Sequence, residues 1–291
     1  MTLVSRISIA MARNTGGLCA GLTALALVLV AQPAAAGGPD SFLRGSLGNG
    51  ASASRWDGLN FGVQYGLSNM NADFGNSTSA LVAYILRDTK LESEFQPSNW
   101  RTLPSSTTNG RQYGAFLGYN VQWDQLVVGF DLAYNRISSL DTSVSDFIAR
   151  EVATSDKIAN DVTIVAQSSL RLIDYATVRA RAGYAFGQFL PYAVLGAAAG
   201  RFNYSTAATV ITSGKDTTTT PPTPTYGPII DSLTDAKNNA VVAGVVAGLG
   251  MDVALLPNVF LRGEWEYVAF APVGGIRANI NTGRVGVGVK F

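Results

Sequence analysis

Glu264 and Glu266 stand two residues apart, so on a strand they share one face, and a paired-carboxylate site for acid–base work is geometrically open to them. Arg262 falls on the same face and favours salt pairing as their use. Little else in the sequence could do chemistry. The 291 residues contain no histidine, which removes the commonest general base and the commonest metal ligand together. No glycine-rich phosphate loop, no metal-ligand cluster and no basic nucleic-acid patch is present. No catalytic residue, cofactor, metal or nucleic-acid partner is therefore expected. Charged residues make up only 14%, and 21 Lys+Arg against 20 Asp+Glu leaves no bulk charge to attract an acidic or basic partner.

The elements that hold these residues begin after an N-terminal leader. Arg6 and Arg13 form a positive region with no acid nearby, 21–30 (GLTALALVLV) is apolar, and Ala34-Ala35-Ala36 fits small-x-small cleavage. The expectation is a signal peptide over 1–36, cut between Ala36 and Gly37. The alternative, an anchoring helix, would need about 20 apolar residues to span a bilayer. Cys19 precedes the apolar run, which argues against a lipid-anchored cysteine at the cut. A chain lacking the leader has no cysteine for an internal disulfide. Loss of Arg6 and Arg13 leaves 19 basic against 20 acidic residues. The Gly/Ser-rich stretch 37–57 reads as a flexible lead-in to one domain over 58–291.

From residue 59 the sequence alternates with period two. Leu59, Phe61, Val63, Tyr65 and Leu67 oppose Asn60, Gly62, Gln64, Gly66 and Ser68, as in a strand with one apolar face. The pattern returns at 112–121, 126–135, 162–184, 190–203, 240–254, 261–267 and 284–291, giving eight strands. Parity in 162–184 is unbroken, which predicts one long strand rising above a bilayer, with Asp174 near the interface. A helix over 240–257 is the alternative suggested by Gly244 and Gly248, but the valines, Gly250, Asp252 and Pro257 favour a strand. The connections alternate between short (122–125, 186–189, 255–257) and long (69–111, 136–161, 204–239, 271–281). That alternation is the topology expected of an antiparallel up-and-down transmembrane β-barrel, all-β, with tight periplasmic turns and long extracellular loops.

Alternation alone leaves open which face is outside. A soluble lipocalin-like barrel would turn the apolar face inward. The interior of an eight-stranded barrel is only just wide enough for side chains. Phe61, Tyr65, Tyr113, Tyr119, Phe130, Tyr134, Tyr184, Trp265 and Tyr267 are too bulky for it, so they are expected to face lipid. Asp131, Arg179, Arg181, Asp252, Arg262, Glu264, Glu266, Arg284 and Lys290 then enter the lumen. Unpaired charge there would be costly, so a salt-bridged network closing the lumen is expected. A charge-lined selectivity filter is the alternative.

Four stretches carry a family resemblance: 56–62 (WDGLNFG), 114–123 (GAFLGYNVQW), 177–192 (TVRARAGYAFGQFLPY) and 284–291 (RVGVGVKF). Through them the chain resembles the small eight-stranded outer-membrane β-barrel proteins of alphaproteobacteria, opacity-protein-like and often labelled porin family. The resemblance implies an outer-membrane location. It also implies a surface, structural or porin role, and a terminal Phe291 read by the barrel-assembly machinery. The chain departs from the pattern in its long loops and in the Thr/Pro tract 217–225, expected to be a mobile loop. Segment 79–86 (SALVAYIL) is too apolar for a free loop and predicts a short helix, folded back as a lid or resting on the membrane. The functional expectation is a non-enzymatic outer-membrane protein in contact with membrane lipid, with extracellular ligands possible at loops 69–111 and 204–239. A small diffusion channel is the alternative, and a barrel enzyme the weakest reading.

Overall fold

The computed structural model describes residues 55–291; the leader, its Ala36/Gly37 cut and most of the lead-in lie outside the described residues. Eight strands follow: β1 (Gly58–Asp73), β2 (Ser105–Trp123), β3 (Leu126–Ala153), β4 (Ile158–Tyr184), β5 (Phe189–Asp216), β6 (Thr223–Leu256), β7 (Val259–Phe270) and β8 (Arg277–Lys290). Each pairs antiparallel with the next, and β1 pairs with β8 to close the ring. Residues 240–256 belong to β6, so the helical alternative is not formed. Three turns, 124–125, 185–188 and 257–258, sit at one end of the ring.

At the other end the strands run further than the sequence pattern suggests. The expected loops 136–161 and 204–239 are mostly strand, and their turns shrink to 154–157 and 217–222. The Thr/Pro tract is the tip of the β5–β6 hairpin rather than a broad loop. The loop 69–111 shortens to 74–104, and 271–281 to 271–276.

The apolar face of the ring is on the outside. Val63 is 61% exposed, Leu195 69% and Val245 65%, while Asn60, Gln64 and Ser68 are buried. A soluble barrel would show the reverse. Aromatic side chains gather on this outer face at two levels: Phe61, Tyr119, Phe130 and Tyr184 near the short turns, and Tyr65, Tyr113, Tyr134 and Trp265 toward the hairpins. Two such belts mark the two interfaces of a bilayer.

Above the upper belt the polarity inverts. Met70 and Ala72 now point inward and Asn71 outward on β1; Ile280 and Ala278 point inward on β8. The unbroken parity expected for β4 is interrupted. A bulge between Leu172 and Asp174 shifts the register, so even residues face outward below it (Val178, Tyr184) and inward above it (Val162, Ile164). A β-bulge inserts one unpaired residue and so exchanges the faces of a strand. The apolar stripe continues in sequence while changing sides.

The connection 74–104 folds into two helices, α1 (Ser79–Ile85) and α2 (Lys90–Phe95), as the composition of 79–86 predicts for α1. Thr89 caps α2 by accepting a hydrogen bond from Glu92 N–H. Val82, Leu86 and Leu91 pack on Val162, Ile164, Ala208 and Val210, the inner face of the β4–β5 extension. The start of the connection is fastened at Asp73, which accepts from Gly75 N–H at 3.0 Å and from Arg101 at 2.7 Å. Hydrogen bonding from Gly75, then from Arg101, holds the Asp73 carboxyl below the usual range.

Barrel topology puts the hairpin end outside the cell. Proteinase K added to intact cells is therefore expected to cut at 217–222 and to leave both fragments held in one folded barrel on an unheated gel. Cutting seen only after lysis would mean the opposite orientation.

Candidate functional site

The nine charged residues expected in the lumen come from five strands, β3, β4, β6, β7 and β8, and all nine are buried. Register decides three of the pairs. Asp131 on β3 lies opposite Arg179 on β4, Asp252 on β6 opposite Arg262 on β7, and Glu264 on β7 opposite Arg284 on β8. Directly opposed residues on one face are close enough to interact. Arg262 forks onto Asp252, with Nε 3.0 Å from Oδ1 and Nη2 3.1 Å from Oδ2. Arg284 Nε stands 3.0 Å from Glu264 Oε1, and its Nη2 reaches Glu266 Oε2 at 2.5 Å.

Other pairs cross the lumen. Arg179 Nη1 bonds both Glu264 and Glu266, the latter at 2.7 Å. Arg181 reaches Asp252. Asp131 Oδ2 receives Arg262 at 3.3 Å, Arg179 at 3.6 Å and Arg181 at 3.8 Å. Four guanidiniums thus face four carboxylates. Lys290 stands lower, its Nζ 2.6 Å from the Arg55 carbonyl and 4.2 Å from the Trp56 ring centre.

Tyrosines and amides complete the network, and period two could have found several of them. Tyr175 shares the parity of Thr177 and Arg179; its hydroxyl lies 3.0 Å from both Gln112 Oε1 and Glu266 Oε1. Tyr192 donates to Glu264 Oε2 at 2.7 Å, and its ring lies 3.6 Å from the Arg181 guanidinium. Gln64 donates to Asn135 at 2.6 Å. Close approach needs glycine at Gly118 and Gly250, where a Cβ would overlap Asp131 Oδ1 and the Tyr192 hydroxyl. All four oxygens of Glu264 and Glu266 are engaged, so neither carboxylate offers a free oxygen to a substrate proton.

Apolar layers lie above and below this network. Toward the short turns are Trp56, Phe116, Leu190 and Phe260. Trp56 belongs to the expected flexible lead-in, yet it is buried, with its backbone N–H donating to Gln122 Oε1 at 2.7 Å and its ring edge-on to Phe260. Toward the hairpins are Met70, Phe74, Leu140, Phe202, Phe270 and Ile280. The expectation of a polar interior thus holds only for the middle of the ring. Asp174 takes a different place from the network. On the outer side of β4 it binds Arg201 Nε at 2.7 Å, Tyr134 at 2.9 Å and Arg136 at 3.1 Å.

The family described as outer membrane protein beta-barrel domain matches residues 22–291. Ail, the attachment invasion locus protein of Yersinia pestis, is similar in structure at 13% identity, over 81% of this chain and 100% of its own, with a TM-score of 0.32. OprG from Pseudomonas aeruginosa is similar at 11% identity, over 82% and 99%, with a TM-score of 0.36. Neisserial surface protein A is similar at 16% identity, over 79% and 97%, with a TM-score of 0.31. No curated protein sequence matches the chain. The chain belongs to the outer membrane protein beta-barrel domain family and is an integral protein of the outer membrane.

Breaking a buried ion pair by removing one partner typically costs about 3–5 kcal/mol, whereas an exposed pair contributes about 0–1 kcal/mol. Arg179→Met should lower the unfolding free energy in lipid vesicles, read by urea titration, by roughly the first amount. Arg101→Met, which breaks the exposed pair to Asp73, should change it by roughly the second. Equal effects would mean that pairing in the lumen does not hold the barrel.

Proposed function

We propose that this protein is a non-enzymatic outer-membrane barrel with a structural and surface-interaction role and a lumen closed to solutes. One observation carries the reading: a neutral network of four arginines and four carboxylates lies between two apolar layers inside the ring. A diffusion channel needs a continuous watery path, and water-filled channels belong to wider barrels. A charge filter needs a net field along that path, and here the opposing charges lie within bonding distance. The enzymatic reading is disfavoured because Glu264 and Glu266 are fully engaged and buried.

The partners follow from position. Membrane lipid covers the exposed apolar band. Phe291 is 68% exposed on the outer face, with its ring 5.7 Å from that of Phe61, within reach of the assembly machinery proposed to read it. Segment 1–36 is the proposed export signal. Extracellular ligands would meet the α1–α2 connection and the long hairpin β5–β6, the parts furthest from the bilayer.

The purified barrel should show heat-modifiable migration and negligible conductance in a planar bilayer. Stable, salt-dependent single-channel currents would overturn the closed lumen and promote the diffusion channel. Turnover of lipid A, phospholipid or peptide, lost in a folded Glu264→Gln variant, would promote the enzyme.

A further inference from the structure

On the outer face of the ring, at the level of the upper aromatic belt, Gly283 lies between Trp265 on β7 and Leu67 on β1. Both neighbours carry exposed side chains, and a Cβ at Gly283 would meet nothing within 4 Å. The missing side chain, with that of Gly263 on the same face of β7, leaves a slot between bulkier neighbours, part of a groove of about 590 Å³. Directly above it runs a row of amides, Asn281, Asn69 and Asn109, paired across three strands. Beside it stands Arg111, opposite Leu67 on β2, exposed and without an ion pair among the described residues.

The groove is apolar below and hydrogen-bonding and cationic above. Arg136 adds to the charge: Arg111 faces Ser138 and Tyr113 faces Arg136, so the two arginines are diagonal neighbours, roughly 7–8 Å apart on one face. Arg136 shares the single Asp174 carboxylate with Arg201. Two guanidiniums therefore share one carboxylate and Arg111 contacts none among the described residues, an excess of cation at the level where the apolar band ends. Guanidinium forks match phosphate oxygens, and amide rows match sugar hydroxyls.

We propose that this groove binds a phosphorylated, acylated glycolipid of the outer leaflet, with an acyl chain in the Gly283 slot and a phosphate on Arg111 and Arg136. The direction agrees with a lipid of that leaflet, whose chains point down from the outer interface. Asn69 donates to Asn109 at 2.7 Å, which aligns the row and leaves its other amide atoms for a sugar; a phospholipid headgroup would use the cations alone.

The test uses the full barrel extracted in mild detergent, delipidated and titrated with lipid A, dephosphorylated lipid A and phosphatidylglycerol, with bound lipid counted by native mass spectrometry. Arg111→Gln should weaken lipid A binding about tenfold, the loss of about one charge-assisted hydrogen bond. Dephosphorylated lipid A should bind the parent protein about as weakly. Gly283→Leu should fill the slot and weaken lipid A without altering heat-modifiable migration; Arg136→Gln serves as the second variant if Gly283→Leu misfolds. Unchanged binding in Arg111→Gln, or phosphatidylglycerol binding as tightly as lipid A, would overturn the proposal.

Discussion

The narrow interior of an eight-stranded ring is the constraint on which the rest depends. Such a ring has room for side chains and little more, and its outer face must be apolar to meet lipid. Inside, then, the chain needs side chains that fill the space while keeping the two faces distinct. Arg179, Arg284, Glu264 and Glu266 do this by spanning the lumen from three strands. A buried ion network is weak evidence of stability against an apolar core of equal volume. Its better-supported service is specificity: a one-residue slip in register would turn these charges into lipid, and three of the pairs are fixed by register itself.

Period two made the eight strands and their order legible; the narrow bore of such a ring, set against the bulk of the apolar face, then decided its sidedness and with it the nine lumen charges. The period is there because the bilayer enforces the contrast between faces along each crossing strand. Above the bilayer that enforcement ends and the rule reverses. On β1 the parity stays constant while polarity swaps, from Leu67 outward to Asn71 outward, so the pattern reads as a loop at residue 69 although the strand continues to Asp73. On β4 the polarity pattern stays constant while the parity swaps at the Leu172/Asp174 bulge, so it reads as one uninterrupted face. Neither event has a signature in composition, because each depends on where the membrane stops. Trp56 escaped for a related reason: a lone aromatic in a Gly/Ser-rich stretch has no period to place it.

The inversion makes the molecule two kinds of protein in one ring. Within the bilayer it is apolar outside and carries its charged network within, above a small apolar layer toward the short turns. Beyond the bilayer it has an ordinary hydrophobic core, with Met70, Phe202, Phe270 and Ile280 inside and Asn71, Asn109 and Asn281 outside. The switch falls at the upper aromatic belt, which is also where Arg111, Arg136 and Arg201 collect. Cations fit there because that level lies beside the outer headgroups, whereas a step lower on the same face they would meet acyl chains.

The α1–α2 connection follows from unequal strand lengths. β3, β4, β5 and β6 run far beyond β1, β2, β7 and β8, so above the bilayer the ring becomes an open four-stranded sheet. Its inner face still carries Val162, Ile164, Ala208 and Val210, which would lie open to water. Burying such side chains is favourable by roughly 1.5–3 kcal/mol each for the larger aliphatics, so the open side must be covered. Only the β1–β2 connection is long enough to reach, since 271–276 between β7 and β8 is short. Val82 and Leu86 on α1 and Leu91 on α2 complete that wall. The apolar segment 79–86, out of place as a loop, is thus the part of the hydrophobic core that the shortened strands leave out.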